Sequence, residues 1–272
     1  MKLTARISVG AATMLVLVST VGCAKLKARD ELVKGVQSFK AGRFEDAVNH
    51  FQTSISLDPT YDIARLDLAA AYSSQVVPNL DSPENLKVAH LALDQFNQVL
   101  DKNPRDVIAL RQVASIHRSI KMYDQARKDE LKVIAEAPND DQAFYTIGVL
   151  DWTLAYKNAT TILGAAGLTD DGNGNPKKSK EVCAKLQQAN TGLVKSATEN
   201  LTKAVSINPS YDDAMQYLNL TFRRKADLEC GDDAARKADL AIADEWVQKA
   251  TGARKSNEAA KEKKLQGGVE MK

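Results

Sequence analysis

The sequence predicts an all-α fold of stacked antiparallel helix hairpins, and the spacing of four prolines is the main reason. Pro59, Pro104, Pro138 and Pro209 each close an apolar stretch, and an alanine follows each of them five residues later. The separations of 45, 34 and 71 residues fit one period of 34 residues with insertions of about 11 and 37 residues. A period of this length is typical of stacked helical hairpins. No window shows the sustained apolar–polar alternation that predicts strands.

The repeat that ends at Pro138 shows why each period should form two packed helices. Residues at helical spacing follow each other on a first and then a second helix: Leu110, Val113, Ala114 and His117, then Ala126, Glu130 and Val133. The small residues in these rows let a neighbouring helix approach closely. Proline cannot continue the second helix, so it ends the repeat.

This pattern resembles the tetratricopeptide repeat (TPR), in which large apolar residues, small residues and a closing proline recur at fixed positions. The resemblance implies a TPR solenoid over residues 30–251. Its five repeats would lie near residues 28–61, 62–106, 107–140, 141–211 and 212–251. The fifth repeat lacks a closing proline, as is common for a terminal repeat that caps the stack. Residues 252–272 are predicted to be a charged, partly disordered tail.

Repeat four carries the longer insertion, which is predicted to be an extended helical hairpin. Its first helix should reach about Leu163, and its second should run from about Pro176 to Ile207. The residues between Gly164 and Asn175 are rich in glycine and asparagine, which favours a flexible, projecting tip. Part of this tip resembles a calcium loop, but Pro176 stands where the turn requires glycine, so no metal site is predicted.

The N-terminus has the features of an export signal. Lys2 and Arg6 precede an uncharged apolar run from residue 7 to residue 22, which suits a secretory signal better than a membrane span. The run ends Ser-Thr-Val-Gly before Cys23, which resembles a bacterial lipobox. The resemblance implies cleavage of residues 1–22, lipidation of Cys23 and a short tether over residues 23–29. The alternative is an ordinary signal peptide that has a cysteine near its end.

The expected location is the bacterial cell envelope, with the chain lipid-anchored through Cys23. Ala24 follows the cysteine, and in proteobacterial-type sorting a residue other than aspartate there implies the outer membrane, facing the periplasm. Of the 37 Lys and Arg residues, two lie in the signal peptide, so the remaining 35 balance the 35 Asp and Glu residues. This balance argues against a nucleic-acid partner, since such proteins need clustered positive charge.

Two further cysteines follow Cys23, and an exported location permits a disulfide between them. Folding the chain back at Pro209 brings Cys230 to within about 9 Å of Cys183 along paired helices. We therefore predict a Cys183–Cys230 disulfide, with two separately buried thiols as the alternative.

The TPR resemblance also implies where a partner would bind, because the first helices of successive repeats line the concave face in that family. The predicted partner-binding residues are Arg111, Ser115, Arg118, Tyr145, Trp152, Gln216 and Arg223. Arginine and large aromatic residues are enriched at binding hot spots. The alternatives are that Trp152 packs into the insertion and that the arginines are only solvated. The tip of the insertion is a second candidate surface.

No motif for catalysis or for a cofactor is present. The sequence has no glycine-rich phosphate loop, HExxH or GxSxG motif, and its three histidines lie in separate predicted helices. The leading hypothesis is therefore a non-enzymatic scaffold that binds a protein or peptide during envelope assembly. The alternative is an envelope enzyme or small-ligand carrier, which would have a deep apolar pocket at the insertion near Trp152.

Overall fold

The computed structural model describes residues 23–269, and ten helices lie within that range. The first, α1, covers residues 23–40. The others are α2 (Phe44–Leu57), α3 (Asp62–Ser73), α4 (Pro83–Lys102), α5 (Val107–Ser119), α6 (Tyr123–Glu136), α7 (Asp141–Ala165), α8 (Lys180–Ile207), α9 (Asp212–Ala226) and α10 (Asp233–Val269). Each predicted repeat contains one consecutive pair of these helices. The predicted signal peptide, residues 1–22, lies outside the described residues.

The chain forms two compact units, one ending at Asp129 and the other beginning at Glu130. In unit 1 a single hydrophobic core joins α2, α3, α4 and α5, and its largest fully buried side chains are Phe51, Phe96 and Ile116. In unit 2 one cluster fills the outer half of the α7–α8 hairpin and another joins α7, α8 and α9. Both units are thus held together by neighbouring helices that pack along the chain.

Small residues set the distance between the two helices of a repeat. A Cβ atom on Gly35 in α1 would lie 2.5 Å from Cε1 of Phe51 in α2. A Cβ atom on Gly148 in α7 would likewise lie 2.5 Å from Cγ of Leu201 in α8. These distances are below van der Waals contact, so each pair of helices packs closely only because glycine is present.

The turns between repeats form as the prolines predict. Pro59, Pro104, Pro138 and Pro209 each lie two residues after the last residue of a second helix. The residue before the proline also helps in two of these turns, where Asp58 Oδ1 accepts from the Thr60 N–H and Asn208 Oδ1 accepts from the Ser210 N–H. Side-chain caps then start the next helices at Asp106 and Asp140.

The insertion of repeat four differs from the predicted flexible, projecting tip. Residues 166–179 pack against the α9–α10 region, where Arg223 donates to the Gly172 carbonyl (3.0 Å) and Arg236 donates to the Asn173 carbonyl (2.8 Å). Gly174 has a φ of 79°, and a Cβ atom there would lie 2.7 Å from the carbonyl oxygen of Ala226. The predicted projection is wrong because backbone carbonyls of the loop are bound by arginines of repeat five.

The start of α8 also differs from the sequence expectation of a helix beginning at Pro176. The N-cap is Ser179, whose hydroxyl accepts from the Val182 N–H, and α8 begins at Lys180. Asn175 instead closes the loop by donating to the Thr169 carbonyl at 2.7 Å.

The predicted disulfide is confirmed. Cys183 in the first turn of α8 is bonded to Cys230 in the α9–α10 turn, with their Cα atoms 5.7 Å apart. Gln187 donates to the Leu228 carbonyl at 2.8 Å one turn further along α8. The bridge and this hydrogen bond fasten the α7–α8 hairpin to repeat five.

Both predicted ends of the solenoid are helical in the structure. The tether expected over residues 23–29 forms the first turns of α1, and Ala28 is already fully buried. The tail expected from residue 252 continues α10, because Arg254 pairs with Asp212 (2.9 Å) and Asn257 donates to the Ser210 carbonyl (2.9 Å). These contacts to the start of α9 extend the ordered helix past the predicted boundary.

We expect Gly148→Ala to lower the free energy of unfolding by about 1–3 kcal/mol, since the new methyl group overlaps the fully buried Leu201. Gly192→Ala is the matched control, because this exposed α8 position has no atom within 4 Å of an added Cβ. The control should gain about 0.5–1 kcal/mol from helix propensity. Urea unfolding followed by far-UV circular dichroism measures both. Equal stability of the two variants would contradict close packing at Gly148.

Candidate partner-binding surfaces

The first helices of successive repeats are neighbours within each unit. In unit 1 α3 contacts α5, and in unit 2 α7 contacts α9. On α3 and α5 the residues that pack inward are mostly small or aliphatic. Five further positions on each helix follow one another at helical spacing and form a continuous stripe. We call the two stripes together the inner face of unit 1; its members are Ile63, Leu66, Asp67, Ala70, Ser73, Ile108, Arg111, Gln112, Ser115 and Arg118.

The inner face of unit 1 contains two strongly exposed isoleucines. Ile63 is 55 % exposed and Ile108 is 68 % exposed, and each is the second residue of its helix. The sequence pattern did not single them out, although they lie 45 residues apart, at the same register as Pro59 and Pro104. The sequence did contain a signal for this exposed apolar pair, namely an isoleucine at the same position of two successive repeats.

The three predicted residues of α5 lie on one stripe, as their spacing of four and three residues requires. Arg111 and Arg118 are exposed, and Ser115 between them is half-buried. His117 faces away from this stripe, with its Nδ1 atom 2.7 Å from Oδ2 of Asp129. The structure thus brings Arg111, Ser115 and Arg118 together and leaves His117 in a structural contact.

We call the surface formed by α7 and α9 the inner face of unit 2. It is rich in aromatic side chains, and two of them are predicted partner-binding residues. Tyr145 packs on Tyr211 with the two rings tilted by 34° and their centroids 4.8 Å apart, and it meets Tyr217 edge-on at 5.8 Å. Trp152 stacks on Tyr156 at 5.3 Å and meets Tyr217 edge-on at 5.2 Å. Tyr217 of α9 therefore joins both pairs into one aromatic patch, which we define as Tyr145, Trp152, Tyr156, Tyr211 and Tyr217.

Within this patch the exposed fraction varies from ring to ring. Tyr156 is 42 % exposed, whereas Trp152 is half-buried and its indole N–H has no acceptor among the residues that the structure describes. The alternative that Trp152 packs into the insertion is thus met in part, because Tyr156 belongs to the helical extension that the insertion adds to α7. The sequence pattern did not indicate Tyr156 and Tyr217, because Tyr156 belongs to the extension of α7 and only the packing of α7 on α9 brings Tyr217 beside it.

The two predicted residues of α9 have different surroundings. Gln216 is half-buried on the same helix as Tyr217. Arg223 is held by three groups: Asn219 Oδ1 (3.0 Å), the Gly172 carbonyl (3.0 Å) and Asp244 Oδ1 (2.7 Å). Its guanidinium anchors the insertion to repeat five, so the prediction that Arg223 faces a partner is corrected to a structural role.

A buried ionic cluster lies behind the insertion. Arg224 is 4 % exposed and donates to Asp170 Oδ1 at 2.6 Å. Its Nη1 atom lies 2.7 Å from Oδ2 of Asp227, but the two atoms are not aligned for a hydrogen bond. Burial raises the pKa of Asp227 to about 6, because the neighbouring guanidinium offsets only part of the desolvation.

The clefts of unit 2 are open, and they differ in their lining. A cleft of about 510 Å³ is lined by Val194, Phe222 and Leu228 as well as by charged and polar side chains of α8. A cleft of about 270 Å³ beside the disulfide is lined by charged residues that include Lys178, Lys180, Asp233 and Arg236. The described residues contain no group of three metal-ligating side chains. Over the same range, no helix has both the length and the apolar character that crossing a bilayer requires.

No protein-family model matches the chain, and no curated protein matches its sequence significantly. Solved structures do match. "Crystal structure of MamA" aligns with a TM-score of 0.54 and 15 % identity over 83 % of this chain and 96 % of that chain. "MamA 41-end from Desulfovibrio magneticus RS-1" aligns with a TM-score of 0.55 and 17 % identity over 85 % and 96 %. "Crystal structure of YrrB: a TPR protein with an unusual peptide-binding site" aligns with a TM-score of 0.50 and 13 % identity over 83 % and 90 %.

The chain has the tetratricopeptide-repeat fold. The predicted fold class, an all-α TPR solenoid, is therefore confirmed. At these identities the TPR likeness describes the architecture, and the functional assignment has to come from the surfaces described above.

The buried Asp227 makes a pH-dependent prediction. Because its pKa in the folded state, about 6, lies above the ordinary value of 3.8, its contribution to stability is largest below pH 4 and is lost as the pH rises through 6. Asp227→Asn should therefore gain stability relative to the wild type between pH 4 and pH 7, by up to about 3 kcal/mol. Urea unfolding at a series of pH values measures this difference.

The exposed Glu262→Gln substitution removes one carboxylate elsewhere in unit 2 and is the control, for which we expect the wild-type pH profile. A constant difference between Asp227→Asn and the wild type from pH 4 to pH 7 would contradict the assignment.

Proposed function

We propose that this chain is a bacterial envelope lipoprotein that serves as a scaffold for a protein or peptide partner. The observation that carries the proposal is the composition of the two inner faces. Unit 1 has two exposed isoleucines on its inner face, and unit 2 has a partly exposed aromatic patch on its inner face. Aromatic residues in particular are enriched at protein interfaces and are among the residues that contribute most to binding energy.

The aromatic patch of unit 2 is more than a packing layer for α7 and α9. Tyr156 keeps 42 % of its surface exposed, and it lies on the extension of α7 rather than in the repeat core. Tyr156 stacks on Trp152 with ring centroids 5.3 Å apart, so the exposed ring is held in place by a half-buried one. An exposed aromatic ring on a firm aromatic base favours a binding role.

Fold-level analogy supports the same class of function. YrrB, which shares this architecture, is a TPR protein with an unusual peptide-binding site. A TPR array has no obligatory catalytic site, and the described residues contain no group of three side chains that could hold a metal ion. A non-enzymatic scaffold is therefore the function we infer.

The envelope location rests on two features. Cys23 is exposed at the start of the described chain, directly after the predicted signal peptide. The Cys183–Cys230 disulfide suits an oxidising compartment such as the periplasm. We propose that the scaffold acts in envelope assembly at the outer membrane.

A photo-crosslinking amino acid at Tyr156 should capture a discrete partner in the native envelope, because Tyr156 is the most exposed ring of the patch. The control is the same probe at Lys203, an exposed position of α8 that is not part of either inner face. Mass spectrometry identifies the product. Equal capture from both positions, or none from Tyr156, would contradict the scaffold proposal for unit 2.

The lipid anchor is tested separately. In a bacterial host that processes lipoproteins, we expect the wild-type chain to take up labelled fatty acid and to sediment with membranes. Cys23→Ala should lose both properties, since it removes the sulfur that would carry the lipid. A wild-type protein that is exported but unlabelled and soluble would instead indicate the ordinary signal peptide.

A further inference from the structure

Asp67 is the one acidic member of the inner face of unit 1. It lies on α3, between Ile63 one turn before it and Ala70 about one turn after it, with Leu66 as its neighbour. Its side chain is half-buried. The surroundings on α3 are thus apolar, and they differ from the solvated setting in which a surface carboxylate normally lies.

This carboxylate has no partner among the described residues. No hydrogen bond and no ion pair to Asp67 occurs there, whereas Asp62, five residues earlier on the same helix, pairs with Lys102 of α4. Burial is the sole cause that raises the pKa of Asp67, so no described cation is close enough to offset it. The arginines of α5 therefore do not neutralise it.

The fold does not require a carboxylate at this position. Ile63 and Ile108 occupy the same place in α3 and α5, and by the same register Gln112 is the counterpart of Asp67. A neutral side chain therefore serves in the neighbouring repeat. Desolvating an unpaired carboxylate is unfavourable, and no contact within the described part of the chain compensates for it.

We propose that Asp67 recognises a lysine or arginine side chain of a bound polypeptide, and that apolar residues beside this cation pack on Ile63 and Ile108. Local charge complementarity at Asp67 selects this occupant, because a cation would compensate the half-buried carboxylate while the flanking residues cover exposed isoleucines. Arg111 and Arg118 belong to the same face but lie on α5, and neither offsets the desolvation of Asp67. The inference deepens the proposed scaffold function and rests on it in one respect, namely that an inner face binds polypeptide.

The test uses three pools of synthetic dodecapeptides with mixed Leu, Ile, Ala and Ser positions and a fixed central residue, which is Lys, Gln or Glu. Fluorescence anisotropy measures the binding of each pool to the full mature chain. The wild type should favour the Lys pool over the Glu pool by about tenfold or more, as expected for a charge-assisted hydrogen bond. Asp67→Asn should reduce this preference to less than about twofold, and Asp67→Lys should reverse it.

Asp62→Asn is the matched control, since it removes a carboxylate of the same helix that already has a cationic partner. It should keep the preference for the Lys pool. Thermal unfolding of every variant confirms that the fold is retained, and the conservative Asp67→Asn change keeps the test valid if Asp67→Lys does not fold.

Two results would overturn the inference without overturning the scaffold function. Equal binding of the three pools would mean that the face takes polypeptide without using Asp67. Binding of no pool, while the probe at Tyr156 still captures its partner, would mean that the inner face of unit 1 does not take such a segment. If Tyr156 also captures nothing, the proposed scaffold function fails as well.

Discussion

The structure depends on the close approach of the two helices within each repeat, and a single register pair sets that approach. A small residue of the first helix faces a large residue of the second: Gly35 faces Phe51 in repeat one, and Gly148 faces Leu201 in repeat four. The corresponding first-helix residues of repeats two and three, Ala69 and Ala114, are fully buried. Because a buried small residue recurs at this position in repeats one to four, the prolines only have to end each second helix for the next pair to follow.

This dependence explains what could be predicted from the sequence. The small residues and prolines act locally and recur at a fixed period, so the helix pairs and their order follow from the sequence alone. The disulfide could also be predicted from the sequence, because the pairing of two antiparallel helices limits how far Cys183 can lie from Cys230. Such features need only helix geometry and do not depend on the path of a loop.

The insertion of repeat four could not be predicted in the same way. Its glycines and asparagines favour a flexible tip, and local propensity contains no information about a distant arginine. Arg223 and Arg236 lie 51 and 63 residues from the carbonyls that they bind. The same long-range contacts removed Arg223 from the predicted binding surface. Likewise, Tyr217 enters the aromatic patch only through the packing of α9 on α7, so the sequence indicated Tyr145 and Trp152 without their neighbour.

Which charged and aromatic residues serve binding can be decided by asking which of them the fold already uses. Arg223, Arg224 and Arg236 contact the insertion loop, and removing any of them would break a hydrogen bond to a carbonyl or a carboxylate of that loop. Ile63, Ile108 and Tyr156 are different, because much of their apolar surface still faces water. Asp67 belongs with them, since its charge is partly buried and uncompensated. Each of these residues lowers the stability of the folded chain, and no contact among the described residues offsets that loss. Binding of a partner would give a physical reason for their presence.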